Sequence, residues 1–145
     1  MVGLVLVGHS RDLVEGLRSM LAQAAPSVTV AIAGGTATGA LGTSAPIVEA
    51  AIREALASAE GGVVVFLDLG SAALAVEIAL ELLASADRAR VRVSDGPIVE
   101  GAVLAAVEAA SGASLDRVAG VADGAGRVPK LPEPLQDEAS SRSGR

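Results

Sequence analysis

His9 is the side chain of this sequence best suited to reversible proton or phosphoryl transfer. It is the only histidine among 145 residues, and the chain has no cysteine, tryptophan or tyrosine. It follows an apolar run, residues 4–7, which ends at Gly8 and is typical of a buried strand. Open α/β sheets bind ligands at the carboxyl ends of their strands, so His9 lies where a site is expected.

Asp68 is the carboxylate best placed to orient that imidazole. Residues 63–67 form a second continuous apolar run, the best candidate for a central parallel strand, and Asp68 follows it directly. Because the first and third strands are the most apolar, we expect them to be neighbours, with His9 and Asp68 facing each other. A carboxylate that accepts a hydrogen bond from one imidazole nitrogen leaves the lone pair of the other free to attack a phosphoryl group.

Groups that could bind the resulting phosphate are found at the same predicted edge. Residues 34–44 contain four glycines and four hydroxyl side chains, a composition that predicts a loop. Backbone N–H groups in glycine-rich turns and at helix N-termini bind phosphate without a basic patch. We therefore predict that Gly34, Gly35, Thr36, Ser71 and the amide of Ser10 bind phosphate.

Each of these features also has a simpler interpretation. A lone histidine at a strand end is often a surface residue without a chemical role. Asp68 could cap the helix that follows it, and residues 34–44 could be only a flexible connection. Their convergence on one edge of the sheet favours a functional site.

The elements that position these residues alternate between strand and helix. Strands are predicted at residues 28–32 and 91–93 in addition to the two apolar runs, and helices at 10–25, 46–59, 72–84, 97–110 and 115–122. This alternation predicts an α/β fold with a doubly wound, mostly parallel sheet of four or five strands and helices on both faces. We expect one domain over residues 1–122 and a poorly ordered tail at 123–145, which is rich in Gly, Pro, Ser and charge.

Composition excludes several classes of protein. The net charge of −6 and the 1% aromatic content argue against nucleic-acid binding. Without cysteine there are no disulfides or thiolate metal sites, and we expect neither a metal nor a cofactor. No apolar run is long enough for a membrane helix and no signal peptide is recognisable, so a cytoplasmic location is expected.

Three segments resemble a known family. They are Val-Gly-His-Ser at 7–10, the glycine-rich stretches at 34–36 and 42–44, and Asp-Leu-Gly-Ser-Ala at 68–72. Together they resemble the phosphotransfer subunits of phosphoenolpyruvate-dependent dihydroxyacetone kinases, the DhaM family, which is similar to the IIA domain of mannose-type sugar phosphotransferase systems. The resemblance runs in order over roughly residues 2–122.

The resemblance implies a function for this site. His9 would take a phosphoryl group from the phosphocarrier HPr and pass it to nucleotide bound in the subunit DhaL, which works with the substrate-binding subunit DhaK. Asp68 would be the orienting acid, and residues 34–36 with Gly70 and Ser71 would form the phosphate cradle. A homodimer is implied, and HPr and enzyme I are expected as separate proteins. Ala37 and Thr38 occupy positions where the family often has acidic residues, so no side-chain role is carried over to them.

Other functions remain open from sequence alone. A histidine phosphatase or mutase needs a second histidine, and a receiver domain needs an acidic cluster after its first strand, so both are disfavoured. A mannose-type sugar IIA component and a non-catalytic anion-binding regulatory module remain as alternatives.

Overall fold

Four short apolar segments form one parallel sheet in the computed structural model, which describes residues 1–143. In spatial order the strands are β2, β1, β3 and β4, and every neighbouring pair is parallel. Their bounds are Gly3–Gly8 for β1, Val30–Gly34 for β2, Val63–Leu67 for β3 and Val91–Val93 for β4. The predicted adjacency of the first and third strands is confirmed, as is the α/β class with a doubly wound sheet. The chain leaves β1 toward β2 on one side and reaches β3 on the other, so the switch point lies between β1 and β3.

The helices follow the predicted alternation. They are α1 Arg11–Ala24, α2 Ala45–Ser58, α3 Ala73–Glu81, α4 Ser85–Arg88, α5 Ile98–Ala110, α6 Leu115–Gly124 and α7 Glu133–Ser143, with short 3₁₀ turns at Gly70–Ala72 and Ala125–Arg127. Serine hydroxyls cap three of them, because Ser10, Ser44 and Ser114 each accept a hydrogen bond from the backbone N–H three residues later.

Side-chain alternation along β1 and β3 divides the interior into two cores. Val5 and Val7 of β1 face a core formed with α2 and α3, whereas Leu4 and Leu6 face a core formed with α1, α5 and α6. Phe66 belongs to the second core and is fully buried. Helices therefore cover both faces of the sheet, and β1 and β3 are held rigidly between them.

The predicted helix at 72–84 is divided in the structure. It begins as the 3₁₀ turn Gly70–Ala72, continues as α3 to Glu81, and is followed by the four-residue α4. Arginine side chains cap the end of α3, since Arg88 donates to the carbonyls of Leu80 and Glu81 and Arg53 donates to the carbonyl of Leu82. These side-chain donors satisfy carbonyls that a continued helix would have bonded.

The carboxyl-terminal segment contains more helix than the sequence indicates. Helix α6 continues two residues beyond the predicted boundary at residue 122, and α7 lies within the predicted tail. Helix α7 presents mostly polar, exposed residues. Helical backbone and poor order are separate properties, so the poorly ordered tail and the boundary at residue 122 stay predictions. Among the described residues, none of the helices has the length and apolarity to cross a bilayer.

Candidate functional site

His9 and Asp68 are in direct contact at the carboxyl ends of β1 and β3. The Nδ1 atom of His9 lies 3.0 Å from Oδ1 and 3.1 Å from Oδ2 of Asp68. The backbone N–H of His9 donates to Oδ2 of the same carboxylate at 2.9 Å. The facing arrangement predicted from the sequence is therefore present, and one carboxylate holds both the backbone and the ring of His9.

The surroundings of Asp68 keep its carboxyl group ionised at neutral pH. Burial, the largest influence, raises the pKa of Asp68, but hydrogen bonds from the backbone N–H and ring of His9 and from the backbone N–H of Leu69 together outweigh it. The net result is a pKa below the ordinary value of 3.8. Asp68 is thus an acceptor for His9 and not a cap of α3, which has no side-chain cap.

The contact with Asp68 determines which ring nitrogen carries the proton and which carries the lone pair. An ionised carboxylate can only accept hydrogen bonds, so in the neutral ring the proton is assigned to Nδ1. The lone pair is then on Nε2. The Oγ atom of Ser71 lies 3.0 Å from Nε2 and donates to it in this tautomer. The His9 side chain is 27% exposed, so part of the imidazole is accessible from the surface.

The glycine-rich loop is attached to the turn that carries His9. The backbone N–H of Gly42 donates to the carbonyl of His9 at 2.9 Å, and that of Gly35 donates to the carbonyl of Gly8 at 3.2 Å. Within the loop, the N–H of Thr36 donates to the carbonyl of Ala40. The amide of Gly35 is therefore engaged by the end of β1, and the amide of Thr36 is engaged within the loop. A phosphate-binding role would require them to exchange these partners, and that role stays a prediction.

Gly34, which pairs with Gly8 in the sheet, is packed closely against the start of α1. A Cβ atom at Gly34 would lie 2.5 Å from Cγ2 of Val14, 2.7 Å from Cα of Arg11 and 2.9 Å from the carbonyl oxygen of Ser10. Only glycine allows the end of β2 to approach the start of α1 this closely. Gly34 thus supports the turn of His9, and its assignment to phosphate binding stays a prediction.

The remaining predicted phosphate ligands lie on the two turns beside the imidazole. The hydroxyl of Ser10 is used to cap α1, whereas its backbone N–H has no partner in the described part of the chain. Gly70 and Ser71 form the exposed 3₁₀ turn after Asp68. Of the six residues assigned to phosphate binding, Ser71 is the one in hydrogen-bond contact with His9.

Two cavities border the site, and neither has His9 in its lining. One, of about 370 Å³, lies between Arg11 and residues 36–39. The other, of about 180 Å³, lies between residues 67–70 and residues 94–96. The imidazole therefore lies outside both cavities, although Asp68 and Gly70 line the smaller one. Residues 1–143 contain no group of three His, Cys, Asp or Glu side chains that could hold a metal ion.

Comparison with known proteins agrees with this geometry. Residues 3–119 match EIIA-man, the family described as the PTS system fructose IIA component. The chain belongs to this family. The match includes His9, Asp68 and Ser71 and ends before α7. Family membership also removes the histidine phosphatase and receiver alternatives.

Individual relatives are more specific. The chain is 45% identical over 122 residues to "PEP-dependent dihydroxyacetone kinase, phosphoryl donor subunit DhaM" of Escherichia coli (strain K12), covering 81% of this chain and 25% of that protein. It is 38% identical over 109 residues to the corresponding subunit of kinase 2 of Listeria innocua serovar 6a, covering 74% of this chain and 86% of that protein. This chain thus spans a quarter of the E. coli relative but most of the Listeria one.

A solved structure has the same fold. The crystal structure of a protein of unknown function superposes with a TM-score of 0.76 at 31% sequence identity, covering 85% of this chain and 93% of that one. The α/β architecture is thereby confirmed independently of the sequence relatives.

The sequence did not indicate every part of the site. The contact of Asp68 with the backbone of His9 and the bond from Gly42 to the His9 carbonyl depend on how two loops close against β1. The glycines at 34–42 indicate that backbone amides lie near the site. Composition does not predict which amide donates to which carbonyl.

Proposed function

We propose that this chain is the phosphoryl donor subunit of a phosphoenolpyruvate-dependent dihydroxyacetone kinase and carries the phosphoryl group on Nε2 of His9. The observation that supports this most directly is the hydrogen bonding of the ring. Nδ1 is occupied by Asp68, and Nε2 lies beside the hydroxyl of Ser71 in a side chain that is partly exposed. The names of the E. coli and Listeria relatives support the dihydroxyacetone kinase assignment.

In the first step, Nε2 attacks the phosphorus atom of phosphorylated HPr. The Nε2–P bond forms as the bond between phosphorus and HPr breaks, and HPr leaves with the electron pair of that bond. Asp68 stabilises the positive charge that develops on the imidazole because its carboxylate is ionised and lies against Nδ1. The phosphoryl oxygens receive hydrogen bonds from the hydroxyl of Ser71 and the amides of Ser10 and Gly70.

In the second step, an oxygen of the nucleotide bound in DhaL attacks the same phosphorus atom. The Nε2–P bond breaks, and its electron pair returns to the imidazole as the neutral, Nδ1-protonated ring. DhaL together with DhaK then phosphorylates dihydroxyacetone. His9 is thus unchanged after each cycle, as a carrier must be.

The proposal is tested by incubating the protein with phosphoenolpyruvate, enzyme I and HPr. Intact mass spectrometry is expected to show an acid-labile gain of one phosphoryl group that is absent in His9→Ala. Phosphorus NMR identifies the modified nitrogen, and Nε2 is expected. If HPr becomes charged while the wild-type chain stays unmodified, the proposal is wrong.

A sugar-specific IIA component is the second candidate, because the matching family is described as a sugar phosphotransferase component. The two candidates differ in the acceptor. The phosphoprotein is expected to donate to nucleotide-loaded DhaL, and direct transfer toward a sugar through a sugar permease would support the second candidate instead. The proposed function includes a cytoplasmic location and a homodimer. Analytical ultracentrifugation tests the homodimer.

A further inference from the structure

Ser71 is joined to His9 and Asp68 in one chain of hydrogen bonds. The Oγ atom of Ser71 lies 3.0 Å from Nε2 of His9, and Nδ1 of the same ring lies 3.0 Å from Oδ1 of Asp68. The contact with Nε2 is the one hydrogen bond that the Ser71 hydroxyl makes within the described residues. A hydroxyl, an imidazole and a carboxylate in this order have the contacts of a Ser-His-Asp triad, which is recognised by geometry and not by sequence position.

The tautomer of His9 gives each member of this chain a role. Because Asp68 accepts from Nδ1–H, the lone pair of Nε2 accepts the proton of the Ser71 hydroxyl. When the hydroxyl attacks an electrophile, Nε2 takes up that proton, and the carboxylate of Asp68 stabilises the imidazolium that forms. The distance of 3.0 Å between Oγ and Nε2 is within the range over which a general base removes a proton from a nucleophile.

The turn that carries Ser71 also supplies donors for a developing oxyanion. Gly70 and Ser71 are the first two residues of the 3₁₀ turn, so their backbone N–H groups have no acceptor within it. Neither N–H group has a partner elsewhere in residues 1–143. In serine hydrolases the N–H of the nucleophilic serine is itself one of the oxyanion donors. Donors of the required kind are therefore present beside Oγ.

The surroundings of this turn restrict the substrate. Ser71 is exposed, and its neighbour Gly70 lines the cavity of about 180 Å³ together with Leu69. This volume is below the usual range for small-molecule sites, so the cavity fits a short acyl group and not a large one. The carboxylates of Asp68 and Asp95 line the same cavity and repel anions. The arrangement therefore favours small, uncharged esters.

We propose that the unphosphorylated protein is a serine hydrolase for small, uncharged esters, with Ser71 as the nucleophile, His9 as the general base and Asp68 as the group that orients His9. Oγ of Ser71 forms a bond to the carbonyl carbon while Nε2 takes the hydroxyl proton. The bond between that carbon and the alcohol oxygen then breaks, and the alcohol leaves with the proton from Nε2. Water, deprotonated by Nε2, attacks the acyl-serine, which releases the acid and restores the Ser71 hydroxyl.

Ester hydrolysis and phosphoryl transfer exclude each other on one molecule, because both use the lone pair of Nε2. A phosphoryl group on Nε2 removes the base that Ser71 needs, and the Ser71 hydroxyl then donates to the phosphoryl oxygens instead. Hydrolysis itself requires no phosphocarrier. The two activities of the site can therefore be tested separately.

The first test uses a fluorophosphonate, which reacts with activated serines. Oγ of Ser71 is expected to displace fluoride and form an acid-stable phosphonate ester, which peptide mass spectrometry locates. Ser71→Ala should remove the label, and His9→Ala should slow labelling by about 10²–10⁴-fold, the contribution of a general base. Ser111→Ala is the matched control and should react as wild type, because the exposed hydroxyl of Ser111 donates to the carbonyl of Glu108. An acid-labile adduct on His9, or labelling of Ser71 no faster than in urea-unfolded protein, would overturn the proposal.

Hydrolysis of p-nitrophenyl acetate measures turnover. Wild type is expected to gain one acetyl group on Ser71, seen by mass spectrometry, and to release it more slowly as acetate. Asp68→Asn should slow acetylation by at least about 100-fold, because the ring proton moves to Nε2 in that variant. Hydrolysis at the wild-type rate in Ser71→Ala would show that the imidazole alone attacks the ester, and the assignment of Ser71 as nucleophile would be wrong.

Phosphorylation of His9 before labelling links the two activities. The phosphorylated protein is expected to lose reaction with the fluorophosphonate and to regain it once the phosphohistidine has hydrolysed. Unchanged labelling of Ser71 in the phosphorylated protein would show that His9 is not its base. If phospho-HPr does not charge the chain, the proposed function is wrong, and the label on Ser71 decides the hydrolase assignment separately.

Discussion

The carboxylate of Asp68 binds His9 at two points, accepting the backbone N–H at 2.9 Å and lying 3.0 Å from Nδ1 of the ring. The first contact fixes the turn at the end of β1, and the second fixes the rotation and tautomer of the imidazole. Because β1 and β3 are adjacent and parallel, both contacts follow from the sheet order. The fold thus positions the reactive nitrogen through one side chain.

Replacing Asp68 by Asn is expected to slow phosphorylation of His9 by about 10–100-fold, the range found when groups that orient a histidine ligand are changed. The Asn amide can donate to Nδ1, which moves the ring proton to Nε2 and removes the lone pair that attacks phosphorus. The rate is measured by single-turnover transfer from phospho-HPr. Asp116→Asn, which removes an exposed carboxylate paired with Arg92, is the control. A wild-type rate in Asp68→Asn would exclude Asp68 from the mechanism.

The lowered pKa of Asp68 predicts a pH dependence of stability. A carboxyl group whose pKa is lower in the folded than in the unfolded state stabilises the fold above its unfolded pKa. That contribution is lost as the pH falls through the folded pKa, which lies below 3.8. Wild type should therefore lose more unfolding free energy between pH 5 and pH 3 than Asp68→Asn does. Urea denaturation at each pH measures this, and a difference between the two proteins that grows on acidification would contradict the prediction.

Much of this site could be predicted from the sequence because strand ends are easily recognised. The apolar runs before Gly8 and Asp68 predict buried parallel strands, and the carboxyl ends of parallel strands share one edge. The adjacency of two such strands therefore predicts that His9 and Asp68 lie side by side, as they do.

The loop at 34–44 could not be predicted in the same way. Its composition indicates phosphate-binding amides, yet the N–H groups of Gly35 and Thr36 donate to carbonyls of Gly8 and Ala40. Which amides stay free depends on positive φ angles at Gly35, Gly39 and Gly42. A glycine adopts such angles whatever residues surround it, so the neighbouring sequence does not predict them. The division of the predicted helix at 72–84 likewise depends on Arg53 and Arg88 from outside the helix.

Ser71 is expected to stabilise the phosphorylated state. Its hydroxyl lies 3.0 Å from Nε2 and turns toward the phosphoryl oxygens once Nε2 is modified. A single hydrogen bond contributes about 0.5–1.5 kcal/mol, so Ser71→Ala should shorten the lifetime of the phosphohistidine by about two- to tenfold. Ser71→Thr keeps the hydroxyl and is the matched control. The decay is followed by phosphorus NMR, and equal lifetimes in wild type and Ser71→Ala would show that Ser71 does not contact the phosphoryl group.

Gly34 and Gly16 provide a matched pair for the packing beneath the site. A methyl group at Gly34 would meet Cα of Arg11 and the carbonyl oxygen of Ser10 at less than 3 Å, so the start of α1 must move. Gly16, inside α1, has no atom within 4 Å of the added carbon. We expect Gly34→Ala to lower the unfolding free energy by about 1–3 kcal/mol. Gly16→Ala should raise it by about 0.5–1 kcal/mol through helix propensity.

The two variants should also differ in activity. Displacing the start of α1 at Gly34 moves the His9–Ser10 turn away from Asp68, so Gly34→Ala is expected to slow phosphorylation even at temperatures where it is fully folded. Gly16→Ala leaves that turn unchanged and should retain the wild-type rate. Urea denaturation and single-turnover transfer measure the two effects on the same samples. Normal transfer by a destabilised but folded Gly34→Ala would show that the approach of β2 to α1 supports the fold alone, and that Asp68 holds His9 in position without it.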